Sequence, residues 1–581
     1  MQKPNFLVIS TSNFLALQSS ASDSTVIINR ASGSITVEPK QTLPHTTPIE
    51  CYGFLGISHF SASKYLIAIS QVQTVGRIKD CFIYQIKEID FIPYRLSMDD
   101  LPECKEDKAF MKMLHSVIHT NSFYFSYNYD ITDTIQKISN FSEHEKSLSP
   151  WERAEKRFFW NYSMCQDFIQ AGVHELILPV MNGFARVETV NYKGNSLDYA
   201  LISRRDHRRN GTRFNTRGLD SAGNAVNFVE TEQIIGLWKD RDFVICSYVQ
   251  TRGSIPMLWS QKPNLAWTPK PKINGSVQQN EESSGLHLTE LMEKYGGVTL
   301  VNLIDKKGSQ NAIGTAFTDL YHVHSNEKLN YEWFDFHGEC KKMKWENIAR
   351  LLHSVAKKIE SYGYCQVSTG ENDYMIHSQV YRKQSGIFRT NCMDCLDRTN
   401  VVQSVFARNS LHSQLNGLGI GDKATGQAFQ PFPEELEKCF RECWVQNADR
   451  LSILYSGTPA QKTDFTRTGK RTIKGALDDG KYSLQRFVIN NFLDGANQNA
   501  WDSFLGKITP KKAKEKMKWK YMTLLKFMLI LMAAIWFSIW TANHSAGNFA
   551  FWFIFVFCFG ISLKMLKSNG SKLVDKPIIN T

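Results

Sequence analysis

The chain has 581 residues, 42% of them hydrophobic, and a formal net charge of +12, enough for two or three domains around a large buried core. Its 12 cysteines are scattered through apolar and helical contexts, which excludes a disulfide-stapled secreted scaffold and points to a reducing compartment. The basic balance suggests an anionic partner such as a nucleic acid, a phosphorylated ligand or an acidic membrane, although charge alone specifies no fold.

From the N-terminus, Phe6-Leu7-Val8-Ile9 is too short for a secretory signal, whose core needs about 7–15 apolar residues. The bulk of the protein is therefore expected in the cytosol. Residues 25–28 and 34–37 flank a short connection containing Gly33, the pattern of a hairpin. Residues 65–69 and 81–85 also read as strands, and 151–172 has helical spacing. Residues 1–180 are thus expected to form a β-rich domain without a catalytic constellation.

From about residue 175 the texture changes, and residues 181–506 are expected to form a second domain. Segments 174–180, 199–203 and 243–249 read as strands, and 298–304 as a buried central strand. Residues 269–285 read as an exposed loop. Residues 345–361 place Ile348, Leu351, Leu352, Val355 and Ile359 on one helical face. Alternation of strands and helices predicts an α/β layered domain.

The C-terminal part is apolar. Residues 507–520 form a basic juxtamembrane linker, followed by apolar runs at 521–540 and 549–566. A bilayer core needs about 20 apolar residues per helix, with roughly 17 at the short end. The loop 541–548 holds no Lys or Arg, whereas lysines flank both outer ends. The positive-inside rule puts that loop in a lumen, and both termini, with the tail 567–581, in the cytosol. Asn543-His544-Ser545 is a glycosylation sequon expected to stay unmodified so near the bilayer.

The chemistry concentrates in Cys392-Met393-Asp394-Cys395-Leu396-Asp397-Arg398-Thr399. Residues 385–391 read as a strand end, and Val401, Val402, Val405 and Phe406 recur at helical spacing. A helix N-terminus binds phosphate and lowers a cysteine pKa. Cys392 is the expected nucleophile, forming a phosphocysteine. Arg398 is the expected bidentate phosphate clamp, and the Thr399 hydroxyl is placed to stabilise the thiolate. Asp394 and Asp397 are the nearest general acids, with Asp394 preferred. A Cys/Arg pair at this spacing also arises by chance. Cys392 and Cys395 could instead be a redox pair, or half of a zinc site completed by Cys439 and Cys443.

Two further groups stand out. Arg204, Arg205, Arg208, Arg209, Arg213 and Arg217 form a basic cluster suited to a phosphorylated headgroup or an anionic bilayer, or to structural ion pairs. It lacks the base-stacking aromatics expected for nucleic acid. Asp335, His337 and Glu339 alternate, which on a strand would set them on one face, as acids, as supports for Arg398, or as part of a hydrogen-bonded sheet edge.

The run Arg389-Thr390-Asn391-Cys392 through Asp397-Arg398-Thr399-Asn400 closely resembles the signature loop of the Sac-domain phosphoinositide phosphatases. So do Asn210-Gly211-Thr212-Arg213-Phe214 through Arg217-Gly218, Asn227 to Gln233, Ser247 to Pro256, and Phe334-Asp335-Phe336-His337-Gly338-Glu339-Cys340. With the two spans, the architecture resembles the integral endoplasmic reticulum and Golgi branch of that family. The resemblance implies a Sac N-terminal domain, an α/β catalytic domain with a Cys-x5-Arg loop, and two C-terminal transmembrane helices. It implies hydrolysis of phosphatidylinositol 4-phosphate, and less of the 3-phosphate, at a cytosol-facing site without a metal or other cofactor. Arg389, Asn391, Met393, Cys395, Leu396, Arg213 and Arg217 are the residues expected to bind substrate. A membrane-anchored protein tyrosine phosphatase and a catalytically silent lipid-binding tether are the rival readings.

Overall fold

The computed structural model describes residues 5–40, 47–61, 63–94, 105–341, 344–371, 375–421, 430–468, 472–509, 570–571 and 574–579. Its first layer is an antiparallel sheet ordered Ile35–Pro39, Ser24–Asn29, Phe14–Ser19, Phe6–Ser10 and Ile49–Cys51. The first two of these form the expected hairpin. Ile28 faces Ile35, and Gly33 takes φ 72° in the turn, a conformation that costs glycine nothing.

Among the described residues, thirteen strands form one mixed sheet. Strand Phe123–Phe125 pairs with both Cys81–Pro93 and Met181–Tyr192, so the sheet runs unbroken across residue 180. A four-strand antiparallel meander follows: Met181–Tyr192, Asn195–Arg205, Val229–Lys239 and Asp242–Arg252. The last strand then divides its free edge. Its first half pairs antiparallel with Cys365–Gly370, and Thr251 and Arg252 pair parallel with Gly386–Asn391. Strands Gly297–Asn302 and Leu329–Trp333 continue the parallel part.

Helix Asp397–Gly417 lies over this parallel region. Its buried face is unusually polar and includes Thr399, Asn400, Gln403, Ser410 and Gln414. Part of that face exchanges hydrogen bonds with the sheet. Gln250 donates to Gln403 O at 2.9 Å, Gln403 donates to Thr251 O at 3.0 Å, and Gln233 donates to Ala407 O at 3.0 Å. Phe388 stacks on Phe406 with ring centroids 4.4 Å apart. Hydrogen bonds offset the cost of burying polar groups, and these fix the helix against strands Val229–Lys239 and Asp242–Arg252 while the Phe388–Phe406 stack fixes it against the strand that carries the loop.

Several sequence expectations change. Residues 174–180 are not a strand, because the chain turns there and the strand begins at Met181. Residues 151–172 break into the short helices Pro150–Arg153, Lys156–Phe158 and Gln166–Gln170. The expected loop at 269–285 contains the start of helix Val277–Tyr295. A reciprocal Ser276–Gln279 capping box starts that helix, and its polar residues Asn280, Ser283 and Ser284 are buried. A hydropathy reading misses a helix whose buried face is polar at its start. Among the described residues no helix is long and apolar enough to cross a membrane. The runs expected at 521–540 and 549–566 lie outside the described residues.

Candidate active site

Three neighbouring parallel strands end at one edge. Asn302 is in register with Asn391 on one side and Trp333 on the other. Residues 303–305, 334–339 and 392–396 therefore leave the sheet together, at the carboxyl ends where ligand sites of parallel sheets form.

Cys392 directly follows strand Gly386–Asn391, and helix Asp397–Gly417 begins five residues later. No glycine lies between Cys392 and Arg398; Cys395 makes the turn with φ 54°, a conformation costing a non-glycine residue about 1–3 kcal/mol. The turn brings the Cys395 N–H to 2.9 Å from Cys392 Sγ. The Cys395 thiol donates to Gly253 O at 2.9 Å, and Thr399 Oγ1 donates to Cys392 Sγ at 3.4 Å. The first-turn amides of the helix have no intrahelical partner and add a positive field.

Cys392 is only 2% exposed. Burial by itself raises its pKa. Hydrogen bonding with Cys395, the Arg398 charge and the Thr399 hydroxyl outweigh that effect and pull the thiol down to about 6. Cys395 moves the other way, first through burial and then through its neighbour Cys392. Cys392 is thus the thiolate and Cys395 the thiol. Arg252, buried beside both sulfurs, is pushed down to about 10 by desolvation although the two cysteines favour its charge.

Arg398 Nη1 donates to Leu303 O at 3.1 Å and pairs with Asp305 Oδ1 at 3.2 Å. The same oxygen lies 2.9 Å from His337 Nδ1. Burial opposes ionisation of Asp305, but His337 and Arg398 hold its carboxyl below the usual range. Cys392, Arg398, His337, Asp397 and Arg213 line one cavity of about 200 Å³. A larger cavity of about 650 Å³, between 349–364 and the helix face at 406–413, holds neither the cysteine nor the loop.

The two loop aspartates are both acceptors. Asp394 receives Arg213 at 3.0 and 2.6 Å and Arg217 at 2.6 Å. Desolvation is the largest influence on Asp394 and would raise it, but the two arginines win and hold the carboxyl far below its ordinary value. The preference for Asp394 as proton donor therefore loses its physical basis in this conformation: an anion clamped by two guanidiniums has no proton to give. Asp397 Oδ1 accepts the Gln461 N–H at 2.7 Å, and Oδ2 lies 3.5 Å from Arg486.

Other expected residues sit elsewhere than a substrate site requires. Arg389 is fully buried and donates to the carbonyls of Gly253 and Ser254 at 3.2 and 2.6 Å. Asn391 donates to Asn302 Oδ1 at 2.8 Å. Both support the loop from beneath, because inward-facing positions on a strand buried on both faces point into the core. Met393 offers its carbonyl to Arg217, and Leu396 packs with Val226 and Tyr455. Arg217 is 1% exposed at its side chain, so its role here is to brace the loop.

The basic cluster divides likewise. Arg204 is buried in ion pairs with Glu230 and Glu232 at 3.1 and 2.7 Å. Arg205 donates to Asn182 and Asn210, Arg208 pairs with Asp206 and Glu290, and Arg209 donates to Arg217 O. Of the six, Arg213 alone lines the cavity.

Asp335, His337 and Glu339 do not share a strand face. Asp335 caps the short helix Phe336–Glu339, accepting the Gly338 N–H at 2.9 Å. Their alternation has no β meaning, because the strand ended at Trp333. Cys443 interacts with Cys439 of its own helix Glu434–Ser456 and with Arg186 of strand Met181–Tyr192, not with the loop. Sequence reasoning missed Asp305, Arg252, Gln461 and Arg486. Asp305 was signalled only by its place just past a buried strand run, and Arg486 by nothing local.

Comparison with known proteins agrees with this geometry. Residues 52–341 match the SacI homology domain model. The chain is 38% identical over 518 residues to the zebrafish (Danio rerio) phosphatidylinositol-3-phosphatase SAC1-B, covering 87% of this chain and 85% of the relative. It is 36% identical over 576 residues to zebrafish SAC1-A, covering 96% and 94%. It is 32% identical over 480 residues to SAC1 of Saccharomyces cerevisiae, covering 81% and 74%. The matches cover 81–96% of this chain and 74–94% of the relatives, and the strand–loop–helix that holds Cys392 falls within them: the chain belongs to the SacI-domain family and is a phosphoinositide phosphatase of the SAC1 type.

Proposed function

We propose that the enzyme removes the phosphate of phosphatidylinositol 4-phosphate, and less readily that of the 3-phosphate, through a phosphocysteine on Cys392. The observation that carries this reading is the Cys392 thiolate, stabilised at the end of a strand and the start of a helix inside a cavity that also holds Arg398. The names of the relatives, phosphatidylinositol-3-phosphatase, support the monophosphorylated lipid class. The 4-phosphate preference rests on the resemblance of the loop and the flanking blocks.

In the mechanism, the substrate phosphate replaces carbonyl and carboxylate partners around Arg398. Its Nη1 now rests on Leu303 O and Asp305, and turning the guanidinium fork onto phosphate oxygens gives a bidentate clamp. Cys392 Sγ attacks phosphorus, the helix amides receive the charge growing on the equatorial oxygens, and water then releases phosphate. Catalysis takes place on the cytosolic face of endoplasmic reticulum and Golgi membranes, with 521–540 and 549–566 as anchors and the lysines of 507–520 against anionic headgroups. Phosphate release from a panel of short-chain phosphoinositide isomers tests the reading: wild type should favour the 4-phosphate, and Cys392→Ser should abolish release. Wild-type rates in that variant would refute the mechanism.

A further inference from the structure

We propose that His337 is the proton donor to the departing inositol oxygen, oriented by Asp305. The proposal rests on the phosphocysteine reading above and deepens it.

Three parallel strands deliver the parts to one edge. Gly386–Asn391 leads into the Cys392 loop, Gly297–Asn302 into Asp305, and Leu329–Trp333 into the turn holding His337. The Asp335 cap at Gly338 N fixes that turn. His337 Nδ1 lies 2.9 Å from Asp305 Oδ1, and no hydrogen bond engages its Nε2 among the described residues. The ring lines the cavity that contains Cys392 and Arg398. A carboxylate on one ring nitrogen fixes the tautomer and the plane and leaves the other nitrogen free for proton transfer.

The loop carboxylates are poorly suited by comparison. Asp394 is neutralised by Arg213 and Arg217. Asp397 receives a backbone N–H from Gln461 and stands next to Arg486. The two guanidiniums favour the ionised form of Asp394 over the protonated one a donor must have, and the Asp397 carboxylate oxygens are already engaged by Gln461 and Arg486. Asp305 also connects the acid to the clamp, since Arg398 shares its Oδ1. When phosphate draws Arg398 away, that carboxylate is left to His337 alone.

The step balances. Cys392 Sγ forms the S–P bond as the P–O bond to inositol breaks. The bonding pair goes to the inositol oxygen, which takes the Nε2 proton of the His337 imidazolium and leaves as an alcohol. Water then attacks phosphorus and gives a proton to the neutral imidazole. The S–P electrons return to the thiolate, and inorganic phosphate leaves.

The test varies the leaving group, using full-length protein in detergent micelles. Short-chain phosphatidylinositol 4-phosphate releases a weakly acidic alcohol that needs a proton. 2,4-Dinitrophenyl phosphate releases a stable phenolate that does not. His337→Asn should lower kcat on the lipid about 10²–10⁴-fold, and at least about tenfold less on the aryl ester. Retained aryl turnover also reports a folded, loaded-competent loop. Equal losses on both substrates, or no loss on the lipid, would overturn the assignment. So would a leaving-group-dependent loss in Asp397→Asn that His337→Asn lacks. Cys392→Ser runs alongside: aryl turnover surviving in that variant would count against the phosphocysteine reading itself, separately from His337.

Discussion

Replacing Thr399 by valine removes one hydroxyl from the nucleophile and keeps the shape of a fully buried side chain. Its Oγ1 lies 3.4 Å from Cys392 Sγ. A hydrogen bond to a charged group contributes about 1.5–3 kcal/mol. The long distance puts this one at the lower end, near one pKa unit of about 1.4 kcal/mol. Cys392, now at about 6, should rise accordingly. The sign follows from the chemistry: a depressed thiol is active above its pKa and loses the thiolate as pH falls through it. At pH 7 the thiolate fraction should drop from about nine-tenths to about one half. The assay is the pH dependence of iodoacetamide alkylation, corrected by subtracting the rate of Cys392→Ser. The midpoint should move up by about one unit, with turnover at pH 7 roughly halved and recovered at higher pH. An unmoved midpoint would show that the hydroxyl does not hold the thiolate, and that the helix amides and Arg398 suffice.

Other outcomes follow from the supporting contacts. Asp394→Asn should lower kcat by the same factor on the lipid and on 2,4-dinitrophenyl phosphate, because it loosens the loop from Arg213 and Arg217 without removing a proton donor; steady-state kinetics on both substrates checks this. Arg204→Met leaves Glu232 buried without its cation and Glu230 with only Lys294 at 3.8 Å and should cost about 3–5 kcal/mol, read by urea unfolding. Gly218→Ala forces a side chain onto φ 63° with its Cβ 2.3 Å from Met257 O. It should destabilise by more than about 1 kcal/mol and lower the melting temperature, with Arg217 displaced from the loop.

The catalytic segment was legible because its logic is local. A strand, a loop and a helix start fall within one short stretch, and the proximity of Cys392, Arg398 and Thr399 is covalent as well as spatial. The hairpin around Gly33 and the strands at 243–249 and 298–304 were legible for the same reason, since apolar runs and turn residues carry their own period. The start of helix Val277–Tyr295 was not, because its buried face there is made of Asn280, Ser283 and Ser284, which hydropathy scores as solvent.

What only the tertiary structure decided was how the charges are used. Sequence by itself establishes that six arginines lie between 204 and 217 and that two aspartates lie in the loop. It does not say which arginine meets which carboxylate. Folding brings Arg213 and Arg217 across some 180 residues of chain to Asp394, and Arg204 onto the adjacent strand's Glu230 and Glu232. It thereby turns most of a presumed lipid-binding cluster, and the preferred acid, into bracing. Asp305 reaches Arg398, and His337 reaches Asp305, only because three strands distant in sequence lie parallel and end in register. Ionisation state depends on distances of a few ångströms between such segments, and local sequence does not encode them.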